Sequence, residues 1–192
     1  GMAIGNALEV KEAVATLQGR GPHDFTRLCI EAGSIMLMQA KQADNKQTAQ
    51  AMLQEVIANG KAFTKLKEMC SYQGGDVNQL EQLELLPQAK HLIELPSKQS
   101  GYLSRLHAQK LGIAAMRLGA GRATKTDQID HAAGIVLHHK VGDSITQGEI
   151  LAEVHTNTEL SDEWIEAFYD AVAYSGEKVA VPPLIAKIID NE

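Results

Sequence analysis

The hydrophobic pattern of this chain changes its period near residue 75, and this change limits the folds that the chain can adopt. Before that point, apolar side chains recur at helical spacing in four segments, which predict four consecutive helices. From Ala89 onward, short runs typical of strands alternate with turn residues. The pattern therefore predicts an α+β chain with a helical segment at 1–75, a polar connector at 76–88 and a mixed region at 89–192.

Capping residues mark the predicted ends of the helices. Asn6 is predicted to cap the first helix, with Glu9 reaching back in a capping box, and Asp44 or Asn45 is predicted to cap the third. Pro22 suits the first turn of the second helix. We expect that helix to bury one apolar stripe, made of Phe25, Leu28, Cys29, Ala32, Ile35 and Met36.

The second half contains four runs typical of strands, at 91–95, 102–106, 134–139 and 149–156. Helical patterns return at 110–118 and 162–173, and Pro182–Pro183 precede a last apolar stretch at 184–189. Within 134–156, the turns Val141–Asp143 and Gln147–Glu149 lie between strand-like runs, and Asp143 can bond the backbone amides that follow it. This order is typical of a biotinyl- or lipoyl-type hammerhead, so we expect a barrel-sandwich-like domain at 89–192.

Composition and charge exclude several classes of protein. With 18 basic and 24 acidic side chains the net charge is −6, and aromatic residues make up 4%. A chain with a net negative charge, no run of basic residues and few aromatic residues is unsuited to binding nucleic acid. The longest apolar cluster, 35–38, is far shorter than the roughly 18 residues of a membrane span, and the first ten residues do not resemble a signal peptide. We therefore expect a cytoplasmic protein with no nucleic-acid or membrane partner.

The cysteines and histidines do not form a metal-binding pattern. Cys29 and Cys70 lie in apolar helical surroundings and are expected to be buried free thiols. His138 and His139 are neighbours in a predicted strand, so their side chains should point to opposite faces. No HxxxH or CxxC spacing occurs in the sequence. The remaining histidines are interpreted as turn or surface residues: His23, His91, His107, His131 and His155.

Two other segments have a functional and a structural interpretation. The GxG of residues 118–124 lacks a third glycine and follows a helical pattern, so a turn is favoured over a dinucleotide site. Arg122 in this segment is interpreted either as a residue that binds an anion or as one that packs along a seam between two domains. A carrier hammerhead would display a modifiable lysine at a hairpin tip, whereas Lys140 lies before the turn, within the predicted strand. The hammerhead fold is therefore favoured, and the carrier function is not.

Five motifs, in order along nearly the whole chain, resemble those of the thymidine and pyrimidine-nucleoside phosphorylase family. They are GNALEVKEAV at 5–14, GRGPHD at 19–24, YQGGD at 72–76, the long block SGYLSRLHAQ to LHHKVGD at 100–143, and VPPLIAKIID at 181–190. The resemblance implies that 1–75 is part of the family's α/β domain and that 89–192 is its C-terminal hammerhead-like domain. It is closest to the bacterial pyrimidine-nucleoside phosphorylases.

The resemblance also implies an activity. Members of the family are pentosyltransferases of pyrimidine salvage, which convert a pyrimidine nucleoside and phosphate into the free base and a pentose 1-phosphate, usually as homodimers. This chain begins inside the family pattern, without the glycine-rich phosphate loop and without the segment that holds the pyrimidine. We therefore expect a truncated chain that carries no catalytic or cofactor-binding residues and is inactive alone.

A partial cation site is implied in the same way. Bacterial members bind a monovalent cation, potassium, through two backbone carbonyls and a glutamate. Position by position, one carbonyl falls on Ala3 and the carboxylate on Glu12, while the other carbonyl lies before this chain. With an incomplete ligand set, we expect no tightly bound potassium.

Two alternatives to a phosphorylase fragment stay open at this point. One is a non-catalytic interaction module that dimerises or docks on the missing half of the enzyme. The other is a carrier-type hammerhead domain, which the sequence around Lys140 disfavours. Apolar surface left by an absent half would favour self-association, so a homo-oligomer is expected.

Overall fold

The structure is a computed structural model that describes residues 1–189. Its fold combines helices with two antiparallel sheets. The helices are α1 (Asn6–Leu17), α2 (His23–Gln39), α3 (Lys46–Ala58), α4 (Lys61–Tyr72), α5 (Asn78–Glu81), α6 (Ala108–Ala115) and α7 (Asp162–Tyr169). The strands are β1 (Ala3–Ile4), β2 (His91–Pro96), β3 (Gly101–Leu106), β4 (Gly134–Leu137), β5 (Ser144–Ile145), β6 (Ile150–Thr156) and β7 (Val172–Ser175). The predicted α+β class is confirmed.

The chain divides into two compact units. The first contains Gly1 and residues 11–83 and 183–189, and the second contains residues 2–10 and 84–182. The division after residue 83 falls inside the predicted connector, which itself holds α5 and a short 3-10 turn, Leu83–Leu85. Residues 2–10, predicted to belong to the helical segment, join the second unit because β1 pairs with β4.

The first unit is built from α2, α3 and α4, together with most of α1. The four predicted helices are all present. Asn45 caps α3 as predicted, because its side chain accepts a 2.9 Å hydrogen bond from the backbone N–H of Thr48. α2 packs against α3 at Gly33, where an added β-carbon would lie 2.9 Å from Leu53 Cδ1. A glycine thus allows the two helices to approach closely.

The stripe on α2 that was predicted to be buried is largely exposed. Met36 is 68% exposed, Leu28 41% and Ile35 38%, and Cys29 and Ala32 are also exposed. The opposite side of α2 is the buried one, with Ser34 fully covered and its hydroxyl donating to the carbonyl oxygen of Ile30. Small residues allow the close contact with α3, so helical periodicity identified the helix but assigned its buried face wrongly.

The second unit holds the main hydrophobic core between helices and sheets. One sheet has the order β1–β4–β6–β2, and the other has the order β5–β3–β7. In the first sheet, Ile135 lies opposite Val154, and Leu95 and Leu137 both lie opposite Ala152. These side chains are buried with others from the helices and the second sheet, including Leu103, Leu111, Trp164 and Phe168.

All four predicted strands are confirmed, and three further strands were not predicted. β2, β3, β4 and β6 lie within or beside the predicted runs, whereas β1, β5 and β7 were not predicted. The helix predicted at 162–173 ends at Tyr169, and Val172 begins β7. The predicted helix is present, but its predicted end was wrong because Val172 and Ala173 pair with β3, a contact between distant parts of the chain.

The start of α1 differs from the predicted capping box. Asn6 is the first residue of the helix, and its side-chain amide donates a 3.0 Å hydrogen bond to the carbonyl oxygen of Ala120. Glu9 does reach back, but its carboxylate accepts from the N–H of Gly5 at 3.0 Å. The side chain that looked like a local cap therefore makes a contact across 114 positions of sequence.

Among the described residues, no helix combines the length and the apolar character that crossing a membrane requires.

Candidate functional site

The two candidate cation ligands lie in different units. Ala3 is in β1, opposite Val136 in the four-stranded sheet of the second unit. Glu12 lies in the part of α1 that belongs to the first unit.

Glu12 and its neighbours Gly1 and Asp24 all belong to the first unit. The Glu12 side chain is half-buried and lies against Gly1, where an added β-carbon would be 2.2 Å from Glu12 Oε2. The amino group of Gly1 lies 3.1 Å from Asp24 Oδ2. The carboxylates of Glu12 and Asp24 therefore both lie near Gly1, and that of Asp24 pairs with its amino group.

Ala3 and Glu12 offer few oxygen donors between them. One carbonyl and one carboxylate offer at most three oxygen atoms, whereas large hard cations take about six to eight. Within residues 1–189, no group of three or more histidine, cysteine, aspartate or glutamate side chains is placed to hold a metal ion.

Two histidines of the second unit contact glutamate carboxylates. His139 Nε2 lies 3.3 Å from Glu149 Oε1, and His155 Nε2 lies 2.8 Å from Glu153 Oε1. His155 is a half-buried residue of β6, so its interpretation as a turn or surface residue was wrong. These contacts pair each histidine with one carboxylate and leave no shared metal-binding geometry.

The other histidines are dispersed. His138 and His139 follow β4 instead of lying inside it, because the strand ends at Leu137. His138 is exposed and His139 is half-buried. His23, His91 and His131 are exposed, and His107 precedes α6 at its N-terminus.

The two turns of the predicted hammerhead are hydrogen-bonded to β3 and to the residue that follows β2. Gly142, at a φ of 97°, donates its N–H to the carbonyl oxygen of Leu103 at 2.8 Å. In the second turn, Gly148 donates to the carbonyl oxygen of Ser97 at 2.9 Å. Ser97 in turn donates to the carbonyl oxygen of Glu149 at 2.7 Å. Both turns thus serve to hold strands together.

Lys140 and Asp143 stabilise the first turn through the backbone. The N–H of Lys140 donates a 2.7 Å hydrogen bond to Asp143 Oδ2. The expectation that Asp143 bonds the amides that follow it was therefore wrong, since the amide precedes it. Lys140 is half-buried and lies three residues before Asp143, so its side chain is not displayed at the tip of a hairpin.

The GxG segment forms a turn, as predicted. Residues Met116–Ala120 make one π-helical turn after α6, and Gly119 adopts a left-handed φ of 102°. The N–H of Asp130 donates to the carbonyl oxygen of Gly119 at 2.9 Å and closes the loop that follows. Arg122 is exposed in that loop.

Asp127 organises the exposed loop around Arg122. Its carboxylate accepts hydrogen bonds from the hydroxyl and N–H of Thr124 and from the N–H of Ala123. These bonds, with that from the Thr124 hydroxyl first, lower the pKa of Asp127, and the nearby Arg122 charge adds to the effect. The loop is therefore ordered by its own side chains.

One polar connection was not found by sequence reasoning. Asn157 Nδ2 donates a 2.7 Å hydrogen bond to Asp130 Oδ2, and the side-chain oxygen of Asn157 accepts from the N–H of Lys90. Asp130 also accepts from the N–H of Ala132. These residues are far apart in sequence, so no local pattern signals the connection.

The cysteines are free thiols, but only one of them is covered. Cys70 is partly buried in α4, whereas Cys29 is exposed on α2. The expectation that both are buried was wrong for Cys29, because it lies on the exposed stripe.

Comparison with known proteins identifies what the chain is similar to. Residues 102–175 match the family model of the pyrimidine nucleoside phosphorylase C-terminal domain. Over 98% of its length the chain is 48% identical to the pyrimidine-nucleoside phosphorylase of Bacillus subtilis (strain 168), and over 96% it is 45% identical to that of Geobacillus stearothermophilus. A relative from Staphylococcus haemolyticus is 45% identical over 98% of the chain. The chain spans only 43% of the length of each of these relatives.

Proposed function

We propose that this chain, which corresponds in sequence to the C-terminal portion of the pyrimidine-nucleoside phosphorylase family, supplies that portion of a phosphorolytic enzyme. The reaction would join a phosphate oxygen to C1 of the pentose while the bond from C1 to the pyrimidine nitrogen breaks. The base leaves with the electron pair and takes up a proton. The substrates are a pyrimidine nucleoside and inorganic phosphate, and the products are the base and a pentose 1-phosphate.

The observation that carries this proposal is the identity of 43–48% to enzymes of that name over almost the whole chain. Similarity at this level extends through both units and is not confined to the C-terminal domain match at 102–175. The activity itself belongs to the complete relatives, of which this chain spans 43%.

We further propose that the chain is inactive alone. Two polar side chains that the sequence singled out serve the fold, because Asp143 holds a turn and Asn6 bonds a distant carbonyl oxygen. Asp127 likewise orders its own loop. The negative charge on the attacking phosphate and on the leaving base must be stabilised by cationic or hydrogen-bonding groups that converge in a site from which water is excluded. Arg122 is exposed in its loop and does not provide such a pocket by itself.

The test is a direct assay of phosphorolysis. The purified chain is incubated with uridine and phosphate, and uracil is separated by liquid chromatography, beside the complete Bacillus subtilis relative as a positive control. We expect no uracil above a blank without protein. Release at an enzyme-like rate, persisting through a second purification step, would show that the chain is itself an enzyme.

Potassium binding is proposed to be absent or weak in this chain. Ala3 and Glu12 supply too few oxygen donors, and Glu12 lies against Gly1.

A non-catalytic interaction module is the second candidate, favoured by the exposed apolar residues of α2. A module of this kind would bind another protein segment without reacting with a nucleoside. Complementation distinguishes the two candidates: supplied with the part of the relatives that it does not match, a phosphorylase portion restores uracil release, whereas a pure interaction module does not.

A further inference from the structure

β2 forms one edge of the four-stranded sheet, and no further strand pairs with its outer side within residues 1–189. The hydrogen bonds of the sheet show which residues of β2 face outward. The N–H of His138 donates to the carbonyl oxygen of Leu151, so Leu151 and every second residue after it in β6 bond towards β4. The residues that alternate with them, Ala152 and Val154, therefore bond towards β2.

Leu92 and Glu94 direct their backbone N–H and C=O groups away from the sheet. The residues of β2 opposite the two that bond towards it are Ile93 and Leu95, which use their backbone groups within the ladder. Leu92 and Glu94 alternate with these residues and so point to the open side. Outward-facing groups of this kind allow a strand from another chain to extend the sheet.

One face of this edge carries an alternation of charged and apolar side chains. Lys90, Leu92 and Glu94 occupy every second position, so they share a face of the extended chain. All three are exposed, Leu92 over 59% of its surface. Glu94 lies directly opposite a like charge, Glu153 of β6. Glu153 contacts His155, whereas no cationic side chain pairs with Glu94 within residues 1–189. A cation beside Glu94 would therefore offset the repulsion between the two carboxylates.

We propose that a second copy of this chain pairs with β2, antiparallel and about a two-fold axis at Leu92. In this register Leu92 lies opposite Leu92 of the second copy, and Lys90 of each copy lies opposite Glu94 of the other. The two Leu92 residues exchange backbone hydrogen bonds, and each Glu94 N–H donates to a Lys90 carbonyl oxygen. The pairing is independent of the proposed activity.

Charge complementarity selects this register. An axis at Glu94 would set two carboxylates opposite each other, and an axis at Ile93 would set Glu94 opposite Leu92. Of these three axes, only the one at Leu92 pairs opposite charges, and it does so twice, with the two leucine side chains in contact between the pairs. Lys90 of the second copy then lies beside Glu94, on the side away from β6.

The contact is short, because the end of β2 cannot extend it. A bulge separates Leu95 from Pro96, proline has no N–H, and the Pro96 carbonyl oxygen accepts a 2.6 Å hydrogen bond from the Tyr169 hydroxyl. The axis joins the same edge of both copies, so the assembly closes as a dimer. A contact of a few residues is smaller than a permanent interface, so we expect a dissociation constant of about 1 µM to 1 mM.

Charge reversal tests the pairing by sedimentation equilibrium over a concentration series. Lys90→Glu and Glu94→Lys each turn both attractive pairs into repulsive ones and should raise the dissociation constant about tenfold or more. The two substitutions change the net charge in opposite directions, so an effect that they share does not come from net charge. Combined in one chain, they restore opposite charges and should return the constant to within about threefold of the unmodified value. Lys125→Glu, in an exposed loop, is the matched control for Lys90→Glu and should leave the constant unchanged.

Cross-linking tests the position of the axis. In a chain with Cys29→Ser and Cys70→Ser, Leu92→Cys would place two thiols opposite each other at a Cα separation of about 5.5 Å, which a disulfide can span. Mild oxidation should give a disulfide-linked dimer on a non-reducing gel. Ile113→Cys, at a 41% exposed position of α6, should stay mostly monomeric under the same oxidation. Circular dichroism melting shows that each variant is folded, and the charge-reversal series needs no change of cysteine.

Three results would overturn the proposal. A chain that stays monomeric at about 1 mM would show that β2 remains an open edge. Association that either single charge reversal leaves unchanged, or that the double reversal does not restore, would exclude this register. Association that Met36→Glu abolishes and Glu94→Lys leaves intact would place the second copy on the exposed side of α2.

Discussion

Trp164 Nε1 donates a 3.0 Å hydrogen bond to the carbonyl oxygen of Ala114 and so links α7 to α6. The indole is 6% exposed and stacks on Phe168, with ring centroids 5.9 Å apart. Phe168 is fully buried and meets Tyr169 edge to face. This aromatic group thus combines burial with a directed polar contact at the centre of the second unit.

Trp164→Phe should destabilise the second unit. The change removes the donor to Ala114 and part of the buried ring, and a lost buried hydrogen bond alone costs about 1–3 kcal/mol. Urea unfolding followed by far-ultraviolet circular dichroism measures the loss. Leu92→Thr, at a 59% exposed position of β2, is the matched control and should change stability by less than about 0.5 kcal/mol. Equal losses in both variants would contradict a special role for the indole.

Gly134→Ala should be severely destabilising. An added β-carbon would lie 2.3 Å from the carbonyl oxygen of Ile4 and 2.8 Å from Leu8 Cδ1, so the backbone of β1 would have to move. Strain of this kind typically costs more than about 2 kcal/mol. The emission of Trp164, the single tryptophan, reports unfolding of the second unit. An unchanged midpoint would show that β1 separates from β4 at little cost.

Gly112→Ala should stabilise the second unit, in contrast to Gly134→Ala. Gly112 lies inside α6, and an added β-carbon meets nothing within 4 Å. Alanine in a helix interior is more favourable than glycine by about 0.5–1 kcal/mol, because it restricts the unfolded chain more. The same fluorescence measurement should show a higher urea midpoint. A lower midpoint would mean that Gly112 serves a contact which the static packing does not reveal.

These residues show which features could be predicted from the sequence. The helices of the first unit and the strands β2, β3, β4 and β6 follow from local periodicity and turn residues, and local patterns are written in the sequence. The bond from Asn6 to Ala120 and the clash site at Gly134 depend on distant partners. The buried side of α2 carries Ser34, and Gly33 allows Leu53 of α3 to approach closely, which depends on a partner elsewhere in the chain.

The candidate cation ligands were predicted by a different route from the one that predicted the fold. Ala3 and Glu12 came from resemblance alone, and no local pattern distinguishes a ligand carbonyl from an ordinary strand carbonyl. Ala3 lies in a two-residue strand, which is too short for periodicity to detect. Their role as ligands therefore stays a prediction that needs its own measurement.

Potassium should not raise the melting temperature of this chain. Melting is followed by circular dichroism in potassium chloride and in tetramethylammonium chloride at equal ionic strength, and we expect midpoints within about 1 °C. Glu12→Gln removes the candidate carboxylate and should leave that difference unchanged. A potassium-specific increase of several degrees that Glu12→Gln abolishes would show that the ligand set is sufficient after all.

Asp127 should titrate below the ordinary range of an aspartate, which is about 3.9. Its pKa is lowered first by the hydrogen bond from the Thr124 hydroxyl, then by backbone amides and by Arg122. A carboxyl whose pKa is lowered in the folded state stabilises the loop fully at pH values above its unfolded-state pKa. This stabilisation is lost as the pH falls through the folded-state pKa.

Carboxyl-carbon NMR between pH 6 and pH 2 gives the titration midpoint of Asp127. Thr124→Val should raise that midpoint by removing the largest contribution, whereas Ser144→Ala, at an exposed position outside the loop, should not. A midpoint at the ordinary value in the unmodified chain would show that the Asp127–Thr124 bonds do not persist in solution.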